Sequence, residues 1–307
     1  MDEGARGDSS EGDDSERALR APFEYIRRMP GKQIRSHLAS AFNLWLRIPE
    51  EKLNSIMEIV EMLHNASLMI DDIEDCSILR RGLPVTHSIF GEARTINSAN
   101  YMYFVALEAA GRLEHSKAVS VFTEQLLELH RGQGKELFWR DTVCCPTTQQ
   151  YERMVEQKTG GLFLLAVRLM QLFSECTHDF TPLLTNLAIF FQIRDDLLNL
   201  CSAEMAKQKT AAEDLTEGKF SYPIIVGLQG RNLNDDQVLN ILRQRTDNLE
   251  VKMYCVNLLR GRNAFVTTKS RLAELQKEIV NEISLFRGNT RIEEVIVLLQ
   301  REIDAAQ

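Results

Sequence analysis

The 307-residue sequence has few of the residues that interrupt helices, with only 7 prolines and 16 glycines. These counts lie below the roughly 5% proline and 7% glycine of an average protein. Such a shortage favours long helices over a fold of strands and tight turns. No stretch combines two-residue alternation with an enrichment in β-branched residues. The sequence therefore predicts an all-α fold.

The sequence also lacks a CxxC pair among its six cysteines. In a chain of this length, that argues against a disulfide framework and indicates a reducing compartment. No apolar run approaches the ~18 residues that a membrane span requires. The acidic N-terminus is the opposite of a signal or transit peptide. We therefore expect a cytoplasmic protein without a membrane span.

A basic excess is missing as well, since 44 acidic residues against 36 lysines and arginines give a net charge of −8. This balance argues against a nucleic-acid partner, although local basic clusters can still bind an anionic substrate. Residues 1–20 are acidic and polar, and we predict a disordered tail there. No linker divides the rest of the chain, so we expect one domain over residues 21–307.

Apolar residues recur at spacings of three and four, the period of an amphipathic helix. The segments with this pattern are 50–75, 95–113, 116–138, 148–174 and 181–200. Their apolar stripes are wide enough for burial on more than one side. Residues 229–307 form a second, more polar helical stretch.

The segment DDIED (71–75) directly follows the apolar run LMI (68–70). On a helix, Asp71 and Asp75 lie one turn apart on the same face, with Asp72 beside them. Carboxylates at this spacing repel by something on the order of 3 kcal/mol at an effective dielectric of 20. A bound cation would relieve this repulsion, and oxygen ligands favour magnesium. A solvated helix face is the alternative.

A second acid pair, Asp195 and Asp196, occurs in FQIRDDLLN (191–199), near the end of another apolar helix. Asn199 lies one turn after Asp195, and Gln192 lies one turn before it. Two acid-ended helices could face each other and hold metal ions between them. Magnesium bound by few carboxylates keeps coordination positions open for phosphate oxygens. The bond between a bound diphosphate and carbon would thereby be weakened.

Basic and polar residues near these acids would complete an anion site, because helix N-termini and guanidinium groups bind phosphate. Singly, each could be a surface charge, and the two arginines could merely neutralise the acids before them. The residues are Lys32 and Arg35 after Pro30, His64, Arg80, Arg81, Lys158, Thr159, Lys209 and Lys219.

Several motifs occur together in one order: GKQIR (31–35), LHNASLMIDDIED (63–75), RR (80–81), QKTGG (157–161), FQIRDD (191–196) and EDLTEGK (213–219). With this set the chain resembles the trans-isoprenyl diphosphate synthases, and within them the geranylgeranyl diphosphate synthases of animals and fungi. The resemblance is dense over about residues 22–260. It includes stretches without obvious chemistry, such as QLLELHRGQG (125–134).

The resemblance implies a single-domain helical bundle of the isoprenoid synthase type around a deep central cavity. Such proteins work as homodimers or as assemblies of dimers. The implied reaction condenses isopentenyl diphosphate head to tail with dimethylallyl, geranyl or farnesyl diphosphate to give geranylgeranyl diphosphate. The allylic diphosphate ionises, the isopentenyl double bond attacks the cation, and a proton is lost to the released diphosphate.

The resemblance also implies a role for each site residue. Three Mg²⁺ ions per active site would be held by Asp71, Asp75 and Asp195, with Asp72 and Asp196 as supporting catalytic residues. The implied allylic contacts are Arg80, Lys158 (also catalytic), Thr159, Gln192, Lys209 and Lys219. The implied isopentenyl diphosphate contacts are Lys32, Arg35, His64 and Arg81.

Product length in such enzymes is set by the cavity below the first acid cluster. Ala66 and Ser67 lie about one turn below Asp71, and their small side chains would leave this channel open. By resemblance, Tyr103, Phe104 and His130 would form a deeper floor, consistent with a twenty-carbon product. The alternative is that Tyr103 and Phe104 are ordinary core aromatics.

Two departures from the family pattern leave room for a diverged function. Leu197 stands where a tyrosine is usual, and residues 201–212 differ from the usual segment although Lys209 keeps its register. One alternative is a terpene synthase that ionises its substrate without condensation. The intact set Lys32, Arg35, His64 and Arg81 argues against it. Another is a regulatory, non-catalytic subunit of a heteromeric prenyltransferase, against which both intact acid pairs argue.

Overall fold

The computed structural model describes residues 8–29, 34–201, 212–232 and 236–305. Within these ranges the chain is almost entirely helical, so the predicted all-α fold is confirmed. The helices are α1 (Asp8–Arg27), α2 (Ile34–Leu46), α3 (Glu50–Glu74), α4 (Thr86–Phe90), α5 (Glu92–Gly111), α6 (Ala118–Thr142), α7 (Thr148–Gln171), α8 (Thr181–Cys201), α9 (Glu213–Glu217), α10 (Tyr222–Leu228), α11 (Gln237–Gln244), α12 (Leu249–Gly261), α13 (Ala264–Leu285) and α14 (Thr290–Ala305).

The five periodic segments of the sequence correspond to α3, α5, α6, α7 and α8, with ends that differ by a few residues. Local capping explains where α7 begins. The Thr147 hydroxyl accepts the Gln150 N–H at 3.1 Å, and the Gln150 side chain accepts the Thr147 N–H at 2.8 Å. This reciprocal capping box satisfies two backbone donors that the first helical turn leaves without partners.

Residues 8–20 belong to helix α1, so the prediction of a disordered tail over residues 1–20 is wrong for this part. Glu16 accepts a hydrogen bond from the Tyr101 hydroxyl of α5 at 2.5 Å, and Arg20 pairs with Glu16 at 2.6 Å. Further along, Phe23 and Ile26 are buried in an apolar cluster with α3 and α5. The acidic composition concealed this docking face, which lies in the second half of the helix. Residues 1–7 lie outside the described residues.

A short antiparallel hairpin follows α3 and is formed by β1 (Leu79–Arg80) and β2 (Leu83–Pro84). The residues between the strands, Arg81 and Gly82, have φ angles of 54° and 79°. A two-residue hairpin turn with both central residues at positive φ matches the right-handed twist of the strands. Strands of two residues carry no readable alternation, which is why the sequence did not predict them. The hairpin brings Arg80 back towards the end of α3.

Helix α7 lies at the centre of the bundle, where it packs against α6 and α8 and also against α2 and α3. The main core contains buried residues from Leu38 in α2 to Ile303 in α14. The more polar C-terminal helices therefore join the same core, chiefly through α13 against α8. Among the described helices, none is long and apolar enough to cross a membrane.

Helices α6 and α7 lie close together at Gly132. A Cβ atom added at Gly132 would lie 2.5 Å from the Lys158 backbone nitrogen and 2.9 Å from its Cα. Since van der Waals contact needs well over 3 Å, only glycine allows the helices to come this near. The close crossing lets polar side chains of α6 reach Lys158 directly.

Candidate active site

The first acid cluster lies at the C-terminal end of α3. The Asp71 and Asp75 side chains are 24% and 14% exposed, and the Asp72 side chain is fully buried. A solvated helix face would leave these carboxylates open to water, so the partial burial argues against that alternative. Each acid has a cationic neighbour, which the low-dielectric surroundings demand.

Arg80 connects the hairpin to this cluster. Its Nε and Nη2 groups donate to one oxygen of Asp72 at 2.7 and 2.5 Å, and Nη2 lies 3.6 Å from Asp71. Burial tends to lower the pKa of Arg80, but Asp72 and Asp71 outweigh this effect and raise it. Arg80 is thus held, fully charged, at the edge of the acid cluster, and its contact with the allylic substrate stays a prediction.

Two lysines converge on one buried carboxylate, that of Glu136 on α6. Lys158 of α7 forms an ion pair with Glu136 and also lies 3.4 Å from Asp71. Lys219, which follows α9, lies 3.5 Å from the same Glu136. Burial lowers the pKa of both lysines, but Glu136 and further acids outweigh it and raise their pKa values. Both lysines therefore remain protonated at neutral pH and can receive an anion.

The second acid pair is divided between two environments. Asp196 is 2% exposed and accepts hydrogen bonds from the Tyr151 hydroxyl (2.5 Å), the Tyr222 N–H (2.8 Å) and the Gln192 amide (2.9 Å). Thr159 of α7 donates to the other end of Gln192 at 2.8 Å. These bonds engage both Asp196 oxygens, so its supporting role is to fix α8 against α7 and α10.

Asp195, by contrast, lies on the outer side of α8 with 58% of its side chain exposed. It forms an ion pair with Arg194, which is buried and also paired with Glu302 of α14. One turn further, the Asn199 side chain accepts the Asp214 N–H at 3.1 Å and ties α9 to α8. Of the two adjacent acids, Asp195 is thus the more exposed one, and its role as a metal ligand stays a prediction.

The predicted isopentenyl contacts are only partly described. Arg81 is half-buried, and its Nη1 group donates to the Met29 carbonyl at 2.9 Å, where α1 ends. His64 is half-buried on α3, two turns before Asp71. Arg35 lies in the first turn of α2, but its side chain lies outside the described part of the chain. Lys32, and Lys209 of the predicted allylic set, also lie outside it.

The predicted chain-length residues occupy different environments. Ala66 is fully buried in the cluster between α1, α3 and α5, and the Ser67 hydroxyl donates to the His64 carbonyl at 2.9 Å. The Tyr103 and His130 rings are 5.9 Å apart, which joins α5 to α6. Phe104, the next residue after Tyr103, is 69% exposed. Neighbouring side chains of a helix point about 100° apart, so Phe104 does not share the direction of Tyr103. Its place in a cavity floor stays a prediction.

The electrostatics of the first cluster fit a divalent cation. Burial raises the pKa of Asp71, but Lys158 and Arg80 outweigh it and lower that pKa. The pKa of Asp75 is raised well above its usual range by burial and by the charges of Asp71 and Glu217. Crowded carboxylates of this kind are the donors that Mg²⁺ prefers. Over the described ranges, no three acidic, histidine or cysteine side chains already form a metal cluster.

Several residues of this site carried no clear signal in the sequence. Gln133 lies in the stretch 125–134, which resembles the family without obvious chemistry, and Glu136 and Arg140 follow it by about one and two helical turns. Their spacing of three and four residues places them on one helix face, which is the signal that could have revealed them. Tyr151 and Tyr222 had no comparable pattern, since their partner Asp196 is distant in sequence.

Comparisons with known proteins agree with this geometry. Residues 16–259 match the family model of polyprenyl synthetase. The chain is 54% identical over 294 residues to a protein of Matsumurasca onukii named terpene synthase, with 96% of each chain covered. It is 51% identical over 284 residues to a geranylgeranyl pyrophosphate synthase of Aspergillus flavus (92% of this chain, 83% of that protein). A geranylgeranyl pyrophosphate synthase of Gibberella zeae is 51% identical over 263 residues (86% and 71%).

Proposed function

Since the chain belongs to the polyprenyl synthetase family, we propose that it condenses isopentenyl diphosphate with allylic diphosphates to give geranylgeranyl diphosphate. The observation that carries this proposal is the convergence of Arg80, Lys158 and Lys219 on the acids Asp71 and Glu136. Three protonated side chains beside a carboxylate pair form a site for a polyanion together with its cations. The geranylgeranyl pyrophosphate synthases among the relatives support the twenty-carbon product.

Asp71, Asp75 and Asp195 are the residues that would hold Mg²⁺. When bound, the metal supplies positive charge that stabilises the diphosphate as it leaves carbon. Around it, Lys158 and Lys219 would move from Glu136 to the diphosphate oxygens, while Arg80 stays oriented by Asp72. Because these cations lie in a partly buried site, their attraction for the leaving group is stronger than it would be in water.

The isopentenyl diphosphate would bind on the other side of the hairpin. Arg81 is held there by the Met29 carbonyl, directly before the segment that contains Lys32. His64, two turns before Asp71 on α3, would lie between the two diphosphates. Arg80 and Arg81 are adjacent and serve opposite sides of the hairpin turn, so the turn would hold the two substrates at a fixed separation.

Product analysis with the purified full-length protein tests this function. Isopentenyl diphosphate is supplied with dimethylallyl, geranyl or farnesyl diphosphate in buffer containing Mg²⁺. Chromatography then distinguishes prenyl diphosphates by chain length. Geranylgeranyl diphosphate as the main product is expected. Absence of any condensation with all three primers would contradict the proposal.

A second candidate function is terpene synthesis, because the relative from Matsumurasca onukii carries that name and aligns along nearly the whole chain. Leu197 is buried in α8 directly after the second acid pair, so that departure lies next to the site. A terpene synthase would convert an allylic diphosphate supplied alone into a hydrocarbon or alcohol. Volatile products without isopentenyl diphosphate would favour this function over the first.

We also propose a homodimer through α5 and α6. The Tyr103–His130 contact joins these helices, and the apolar side chains of Phe104 and Leu127 beside it are 69% and 50% exposed. A second copy of the chain would bury them. We expect Leu127→Glu to convert the dimer to monomers in sedimentation velocity. Val266→Glu, at an apolar residue of α13 that is 65% exposed, serves as the control. A dimer that tolerates Leu127→Glu would contradict this interface.

Ser67→Phe is expected to shorten the main product from twenty carbons to fifteen or fewer. The side chain projects about one turn below Asp71, where the growing prenyl chain would pass. Overpacking can cost ~1–3 kcal/mol, so melting is measured beside product length. Ser55→Phe is the matched control, because Ser55 lies on the same helix and also donates its hydroxyl to a backbone carbonyl. A folded Ser67→Phe enzyme with an unchanged product would refute the channel.

A further inference from the structure

One face of α6 is directed at the acid cluster through three polar residues, and the proposed chemistry uses only the central one, Glu136. Gln133, Glu136 and Arg140 follow at spacings of three and four residues. Gln133 donates to Glu74 at 2.6 Å and to Asp71 at 3.3 Å. Glu136 holds the two lysines, and Arg140 reaches the very end of α3. This face of one helix contacts Asp71, Glu74 and Asp75 of the first cluster.

Arg140 makes the most extensive of these contacts. Its Nη1 group donates to an Asp75 carboxylate oxygen at 2.8 Å and to the Glu74 carbonyl at 3.0 Å. Its Nε group donates to Asp141 at 3.1 Å, and Asp141 in turn pairs with Arg245 at 3.0 Å. With 9% of its side chain exposed, Arg140 is packed into this position. The guanidinium group is thus anchored on one side and bonded to α3 on the other.

Asp75 needs such a partner because it lies where α3 ends. It is the C-cap residue, with Glu74 as the last helical residue. Backbone carbonyls in the last helical turn have no intrahelical donors, and side chains there are less confined than those in the helix interior. Arg140 supplies a donor to the Glu74 carbonyl and to the Asp75 carboxylate at once. One side chain therefore fixes both the helix end and the direction of the carboxylate.

We propose that Arg140 is a positioning residue, which holds the Asp75 carboxylate on the side of α3 that Asp71 occupies, so that both can bind the same metal ions. The proposal rests on the proposed function, because it concerns how the chain orients a ligand of that site. Groups that orient metal ligands in this way strengthen metal affinity about 10–100-fold. Arg140 itself touches neither substrate nor metal.

The test compares full-length Arg140→Gln and Arg140→Lys with the wild type. The first readout is the Mg²⁺ concentration for half-maximal activity. The second, which needs no turnover, is calorimetric binding of inorganic pyrophosphate across a series of Mg²⁺ concentrations. We expect Arg140→Gln to require about 10–100-fold more Mg²⁺ in both, with an unchanged KM for isopentenyl diphosphate. Arg140→Lys keeps the positive charge but not the planar guanidinium with its several donors, so its Mg²⁺ requirement should be intermediate.

Arg131→Gln is the matched control, since Arg131 also lies on α6 but pairs with Glu128 at the surface. A purely structural role would lower the melting temperature without shifting the Mg²⁺ requirement. A folded Arg140→Gln protein with the wild-type requirement would therefore overturn the inference. If that variant does not fold, a wild-type requirement in Arg140→Lys overturns it instead. Failure of the wild type both to bind pyrophosphate with Mg²⁺ and to form product would contradict the proposed function itself.

Discussion

Asp71→Asn is expected to lower kcat for prenyl transfer by about 10²–10³-fold, the loss seen when one key electrostatic group is removed from an active site. The change is nearly isosteric, but it removes the charge that would face the metal. Lys158 and Arg80 keep Glu136 and Asp72 as partners, so the fold should persist. Steady-state kinetics at several Mg²⁺ concentrations, with circular dichroism for folding, measure both parts of the expectation.

Asp304→Asn provides the control for this experiment, because Asp304 is an exposed acid on α14 that accepts a hydrogen bond from Gln300 at 2.9 Å. Its turnover should equal that of the wild type. Full wild-type activity in excess chelator, or an Asp71→Asn variant as fast as the wild type, would contradict the assignment of Asp71 as a metal ligand.

Lys158→Gln is expected to weaken the folded state and the binding of the allylic substrate together. Breaking a buried ion pair costs about 3 kcal/mol, because the remaining charge keeps its burial and loses its partner. Here Glu136 would keep only Lys219, at 3.5 Å. The KM for the allylic diphosphate should rise far more than that for isopentenyl diphosphate. Denaturant unfolding and two-substrate kinetics provide the two measurements.

The pH dependence of this contribution follows from the raised pKa of Lys158. A group whose pKa is higher in the folded state stabilises the folded protein fully at any pH below its unfolded-state pKa. This stabilisation is lost as the pH rises through the folded-state pKa. The difference between wild type and Lys158→Gln should therefore be constant from neutral pH to about pH 10 and decline only above it. Lys135→Gln, at an exposed lysine of α6, should change neither stability nor KM. Equal stabilities of Lys158→Gln and wild type would disprove the buried pair.

The sequence could predict the site residues that sit at helix ends because periodicity locates helices and acids at their ends stand out. Asp71 and Asp75 were readable in this way, since Asp71 lies in the last turn of α3 and Asp75 is its C-cap residue. The sequence could not predict that Asp195 is exposed while Asp196 is buried. This difference depends on Tyr151 and Tyr222, which contact Asp196 from α7 and α10 through long-range packing.

The sequence did not predict two other parts of the fold. In one the apolar residues are outnumbered by acidic neighbours, and in the other the strands are too short to show a pattern. The acidic composition of the first residues of α1 led to the prediction of disorder. Phe23 and Ile26, whose burial against α3 and α5 docks the helix, were too few to change it. The hairpin has strands of two residues and is set by the positive φ angles at Arg81 and Gly82. A backbone conformation of this kind is not visible in hydrophobic periodicity, although the glycine hints at it.

The close crossing at Gly132 places the proposed anion site at a tight contact between two helices of the bundle. The glycine has no side chain, and it is this missing methyl group that allows the Lys158 backbone to approach α6. Glu136 reaches the Lys158 ammonium from one helical turn further along. When a diphosphate draws the lysines away from Glu136, the joint loses an internal bond and gains one through the ligand. Contacts with the substrate would thus replace part of the internal contacts that hold the fold together at this point. We therefore expect amide exchange to report a different local opening of α6 from α7 in the substrate-free and in the diphosphate-bound protein, because different bonds would join the two helices at this point.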